Sequence, residues 1–390
     1  MYSIKLTRLS CICLAVCLWT ACDGDGSVKV QASVTSSRAN ATNGQGSTAN
    51  RSQDAAVLAT SITTASKTDK VDLAAAVLQG NGMSSNVSSV SLTGCGDSKI
   101  NLQQGQLWLY PATQPKGIVL ITHDLVVQPE TALSNIIEWA KSDHLSVLLL
   151  RLAGHRQDKS KAAVTASVAA WKNDEEVALC MAHQLRQAAG HPHVFILTHS
   201  MSAPLFEVAS HSNKTLDIWN KNYARAVHIA PAHTLFFADI DELDKTLHKF
   251  AKQSQLPLTD LFTKENAARD KLPVQWLLHT LKLQQEALEL LSNNKQSTVP
   301  TLNIFDKNDL LIAHNQTFPK RNMRWTLQLQ EAQETPHTLF SKKVWNIARA
   351  FFINQTIPKD ATDDPNHKFP APPNQNLAGN LLRSHLPSSK

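Results

Sequence analysis

The sequence predicts an α/β protein: a mostly parallel central sheet with helices on both faces. Three observations predict it. Continuous apolar runs, GIVLIT at 117–122, LSVLLL at 145–150 and VFILT at 194–198, have the character of strands buried on both faces. Segments of helical periodicity alternate with these runs, the order that builds parallel sheets. A chain of 390 residues, 42% hydrophobic and 18% charged, is long enough to bury a sizeable core in one large domain or two.

Taken from the N-terminus, the first segment is a targeting signal. Lys5 and Arg8 precede the apolar run Leu9–Trp19, which is too short to span a bilayer comfortably, and Ala21 and Cys22 follow. Positive, apolar, small is the order of a secretory signal peptide. Cys22 after a small pair resembles the lipobox of a bacterial lipoprotein, although Trp19 stands where that pattern usually has an aliphatic residue. The resemblance implies cleavage after residue 21 and lipid on the Cys22 thiol, and hence a cell-envelope protein facing the periplasm or the exterior. Residues 22–95 are rich in Ser, Thr, Asn, Gln, Ala and Gly. They carry too little apolar surface to offset their ordering entropy, so a disordered tether is expected, with a short helix allowed over Val57–Leu78.

The folded domain is expected over 96–356. LWLYPA (107–112) reads as a strand, KGIVLITHD (116–124) as a buried one, and 129–144 as an amphipathic helix with Leu133, Ile136, Ile137 and Ala140 on one face. A strand over 145–155 leads to a helix over 168–191, closed by Gly190. HVFILTHS (193–200) is the next strand, 201–211 the next helix, and YARAVHIAPA (223–232) a further strand. Helical patterns at 238–253 and 274–291 then interrupt the alternation, so an inserted helical cap is expected over about 235–292. VPTLNIFDKND (299–309) resumes the sheet and 337–352 forms the last helix. Pro, Asp, Asn and Ser dominate 357–390, which reads as a disordered tail.

Four local motifs carry chemistry. Thr198-His199-Ser200-Met201-Ser202 places a serine between a strand and a helix, with fairly small residues two before and two after it. That is the context of a nucleophile elbow, where neighbouring backbone approaches closely. The stretch 299–312 ends a strand with Asp306 and Asp309, ETPHTLF puts His337 just before the last helix, and VLITHDLV puts His123, Asp124 and Leu125 after a strand. In this order the motifs resemble the α/β-hydrolase fold, over roughly 100–352, and within it the monoglyceride-lipase and serine-aminopeptidase-like branch. The resemblance implies a Ser200, Asp309, His337 triad, with Asp306 as the alternative acid. It also implies an oxyanion hole made by the backbone N–H groups of Leu125 and Met201. Gly154 and His155 match a further turn of that family and are read as structural. Three family glycines are replaced, by Thr198, Ser202 and Asp124.

The expected function is cleavage of a carboxylester, lipid or small acyl ester, by an exported serine hydrolase with no cofactor. Phe236, Phe237, Leu243, Leu247, Phe250, Trp276, Leu277 and Leu278 would line the cap, and apolar helices over a serine suit an acyl chain. The competing reading, from the three missing glycines, is an inactive protein of the same fold that binds or interacts in the envelope. A net charge of +6 without a polybasic block gives no nucleic-acid footprint. His123, His199 and His233 fall near strand ends, but no pair has metal-ligand spacing on one helix face, so no metal is expected. Of six cysteines, four lie at or before Cys22, leaving Cys95 and Cys180, whose pairing is open.

Overall fold

The computed structural model describes residues 85–86, 92–94, 96–100, 102, 105–124, 129–154, 167–188, 190–191, 193–212, 224–233, 255–257, 271–292, 299–309, 323–330, 337, 339–364 and 367. All of them lie in the compact unit Arg51–Lys390. Strands β1 (Ser85–Asn86), β4 (Gln106–Tyr110), β5 (Gly117–Thr122), β6 (Leu145–Arg151), β7 (Val194–His199), β8 (Ala224–Ile229), β11 (Thr301–Asp306) and β12 (Arg324–Leu329) form an eight-stranded sheet in the order β1-β4-β6-β5-β7-β8-β11-β12. The pairs from β6 to β12 are parallel, and β1 and β4 add an antiparallel edge. Two small antiparallel pairs stand apart, β2 (Leu92–Gly94) with β3 (Gly96–Ile100) and β9 (Gln255–Pro257) with β10 (Lys271–Pro273).

Burial follows the apolar runs. Every residue of β5, β6, β7 and β11 is buried, whereas β4 alternates, with Leu107 and Leu109 inward, as an antiparallel strand with one less covered face should. One face of the sheet packs on helices α3 (Val168–Ala188), α4 (Ser202–Ser210) and α5 (Val274–Ser292). The other face packs on α2 (Ser134–Ser142), which follows the single turn α1 (Pro129–Ala132), and on α6 (Lys342–Asn354). The expected face of α2 is buried, Ile136, Ile137 and Ala140, with Leu133 just ahead of the helix. Gly190 has φ 67 and closes α3 in a Schellman motif: its N–H bonds to Gln187 O and that of His191 to Arg186 O. Ser341 caps α6, its Oγ accepting from Val344 N at 3.2 Å. Gly105 is required by close approach, because a Cβ there would stand 2.7 Å from Asp174 Oδ2 and 2.9 Å from Arg151 O.

Three boundaries differ from the sequence reading. Strands occur inside the expected tether, where β1 pairs with β4 and β2 lies against α3. Helix α5, placed in the cap by periodicity, belongs to the body: Trp276, Leu283 and Ala287 are part of the core beneath the sheet, and Gln284 Nε2 donates to Ala232 O at 2.6 Å. The expected tail is anchored at its start, where Thr362 and Thr326 exchange two backbone hydrogen bonds of 2.8 and 2.9 Å. The other cap helix expected at 238–253, the possible helix at 57–78, the leader and Cys22 lie outside the described residues. Among the described residues no helix is long and apolar enough to cross a membrane. Cys180 is disulfide-bonded, and the described residues contain no other cysteine.

Candidate active site

Parallel strands end together, so the residues that follow β5, β7, β8 and β11 meet at one edge of the sheet. Ser200 directly follows β7 and has φ 55, a left-handed conformation costly for a residue with a Cβ. Neighbouring backbone over-determines it. Its N–H donates to Ile229 O at 2.9 Å, and its carbonyl accepts from Ala203 N and Ala232 N, both at 3.1 Å. The turn therefore hangs on the C-terminal end of β8, and α4 starts immediately behind it.

The two residues that replace glycines are tied in by their hydroxyls. Ser202 Oγ accepts from His199 N at 2.8 Å and faces Thr122 O at 2.7 Å and His199 O at 2.8 Å, so its one proton serves two carbonyls. Thr198 Oγ1 lies 2.6 Å from His228 Nδ1. His228 in turn faces Glu207, which is paired with Arg324, behind the elbow. Burial alone would raise the Glu207 carboxyl, but the Arg324 guanidinium and His228 hold it well below the usual range. Burial keeps His228 below its ordinary value. Thr198 and Ser202 thus belong to a buried polar lattice that needs their oxygens.

The structure brings Ser200, His337 and Asp309 into one chain of contacts. His337 Nε2 is 2.9 Å from Ser200 Oγ, and His337 Nδ1 is 2.8 Å from Asp309 Oδ2. All three are buried, Ser200 at 7%, His337 at 5% and Asp309 at 0% exposure. Asp309 is the aspartate that reaches His337, while Asp306 Oδ1 accepts from Asn308 N at 2.8 Å and shapes the turn. Burial by itself would lower His337, but the Asp309 charge and hydrogen bond, with the Asp124 carboxylate, outweigh it and hold the imidazole above its ordinary value. Met201 sits in the turn that leads into α4, so its N–H belongs to the amino end of that helix. Leu125 lies outside the described residues.

Sequence reasoning underrated two neighbours. Asp124, which stands in place of a family glycine, points its Oδ2 to within 3.6 Å of His199 Nδ1 and 4.0 Å of His337 Nε2. His199 Nε2 lies 2.9 Å from the His337 carbonyl, an acceptor, so Nε2 carries the proton and holds the His337 backbone. Burial, partly offset by Asp124, lowers His199 to about 4, so at neutral pH the 3.6 Å contact is not an ion pair. The alternation of strand and turn placed both residues at the sheet edge, but their mutual approach depends on how β5 and β7 pair. His123 is structural. Its Nε2 accepts from Leu152 N at 3.2 Å, so Nδ1 donates to Asp124 O, pinning the Asp124 backbone between β5 and β6. His233 is buried after β8, and Gly154 turns the chain after β6 at φ 90.

No protein-family model and no curated protein matches the chain. Solved structures do. A metagenome-derived lipolytic enzyme is 17% identical, with 64% of this chain and 96% of that one covered, at a TM-score of 0.50. A soluble variant of monoglyceride lipase from Saccharomyces cerevisiae is 12% identical, with 69% and 99% covered, at 0.49. A thermostable carboxyl esterase from Bacillus coagulans is 11% identical, with 69% and 96% covered, at 0.48. The first of these likenesses, together with the strand order, shows the α/β-hydrolase fold.

Proposed function

We propose that the protein is a serine hydrolase of carboxylesters. The observation that carries this reading is the chain Asp309–His337–Ser200, closed at 2.8 and 2.9 Å with Ser200 at φ 55. An unstrained turn would leave the hydroxyl in any rotamer; this one delivers it to an imidazole whose other nitrogen is held by a carboxylate. In the proposed reaction His337 Nε2 takes the Ser200 proton as Oγ attacks the ester carbonyl. Asp309 accepts from Nδ1–H and stabilises the imidazolium. The developing oxyanion is received by Met201 N–H and, as the resemblance implies, by Leu125 N–H. His337 then protonates the leaving alcohol, and water, activated by the same imidazole, releases the acid.

The lipid anchor at Cys22, export and placement in the envelope belong to the same proposal. They are supported by Lys5, Arg8 and the apolar run before Cys22. An ester presented at a membrane surface is the substrate class that suits such an anchor. A second reading, an inactive binding module, is favoured by Asp124, which brings a carboxylate to 4.0 Å from His337 Nε2 where the family has glycine.

A fluorophosphonate probe on the full chain tests the choice. The expected outcome is labelling of the native protein that disappears in Ser200→Ala, falls by about a thousandfold or more in His337→Ala, and is lost on heat denaturation. A folded wild-type sample that takes no label makes the binding module the better account.

A further inference from the structure

Three lone pairs converge beside the proposed nucleophile. His199 donates through Nε2 to the His337 carbonyl at 2.9 Å, so its Nδ1 is unprotonated, and that buried atom has no hydrogen-bond partner. It faces Asp124 Oδ2 at 3.6 Å, acceptor against acceptor. His337 Nδ1 is committed to Asp309 at 2.8 Å, so its Nε2 also presents a lone pair, 4.0 Å from the same Asp124 oxygen. The three atoms lie within 4.8 Å of one another, and all three side chains are buried.

We propose that Asp124, His199 and His337 form an inhibitory binding site for a divalent cation of the zinc class. Zinc takes imidazole nitrogen and carboxylate oxygen at about 2.0–2.2 Å, which puts tetrahedral ligand atoms about 3.3 Å apart. The contacts of 3.6 and 4.0 Å need to shorten by about 0.3 and 0.7 Å, a range that side-chain rotation covers. Two imidazoles with one carboxylate select zinc over magnesium or calcium, which prefer oxygen. The supports of a metal site are in place as well: Asp309 behind His337 and the His337 carbonyl behind His199 fix the tautomers that expose the ligating nitrogens. Zinc and Ser200 then compete for one lone pair. A bound cation occupies His337 Nε2, ends its contact with the serine hydroxyl and leaves Ser200 without a base.

The inhibition rests on the serine-hydrolase reading; the binding does not, and the experiment separates them. Zinc affinity is measured on the full chain by competition with a chromophoric chelator, alongside the rate of fluorophosphonate labelling at rising free zinc. Wild type and Ser200→Ala are expected to bind one zinc ion each. Asp124→Asn and His199→Gln should each weaken it by at least about tenfold, the loss that even an outer-shell change produces. Labelling of wild type should fall in step with zinc occupancy and return with chelator. Cobalt(II) on wild type, independent of how well the variants fold, should give the visible bands of a tetrahedral site. Zinc affinity unchanged in both variants, labelling indifferent to saturating zinc, or no cobalt spectrum overturns the site. If no sample labels even without zinc, the hydrolase reading fails, and the binding and cobalt measurements alone decide the site.

Discussion

Ser202 occupies a position where glycine is the usual solution, and its Oγ joins His199 N, His199 O and Thr122 O within 2.8 Å. A missing side chain could not make those bonds. Ser202→Ala should therefore lower stability by about 1–3 kcal/mol in urea denaturation, the cost of buried polar groups left without a partner. At His337 the consequence is a pH profile. As the proposed base it acts when neutral, and its folded value is raised, so labelling and turnover should fall as pH drops through that raised value. The Asp124 carboxylate is one of the groups that raises it. Asp124→Asn should move the acid limb of the labelling rate to lower pH; an unmoved limb would mean that Asp124 does not act on the base.

Among the elements, α3 carries the least expected chemistry. Its Glu175 is buried against β5, where Thr122 Oγ1 donates to Oε2 at 2.9 Å while Oε1 has no hydrogen-bond partner. Burial pushes its pKa from 4.5 up to about 8, so the carboxyl is neutral at pH 7. The native state then holds a proton that the unfolded chain releases, and stability falls as pH rises from about 4.5 through about 8. Thermal melts of wild type should show that loss, and Glu175→Gln should flatten it over the same range. Helix periodicity predicts α3 itself, but not that Asp174, Glu175 and Glu176 are all buried; the packing of α3 on the sheet decides that. The same limit explains α5: its amphipathic pattern announces a buried face without saying what it is buried against.

Across the whole molecule, a covalent tie adds to the layered core. Cys180 on α3 is disulfide-bonded, and β2, whose last residue directly precedes Cys95, lies against α3. A non-reducing peptide map is expected to link Cys95 with Cys180, and Cys180→Ser to cost about 2–4 kcal/mol. A disulfide suits the oxidising compartment that the proposed export implies. It also gives the short strands β1, β2 and β3 a reason to stay with the domain although the composition there is that of a tether.

By itself the sequence determined what depends on neighbours along the chain: the buried strands, the face of α2, the glycine that closes α3, and a serine on a strand-to-helix turn. These rest on periodicity and local steric rules, which a linear text carries in full. The tertiary structure alone decided which atoms meet. It chose Asp309 over Asp306, set His337 between Asp309 and Ser200, gave Thr198 and Ser202 their partners, and brought Asp124 to His199. Apart from the local bonds of Ser202 to His199, those contacts join residues on different strands or loops, and their geometry follows from the order and register of a parallel sheet. Neighbours in such a sheet are far apart in the chain, so no spacing in the sequence encodes the distances between them.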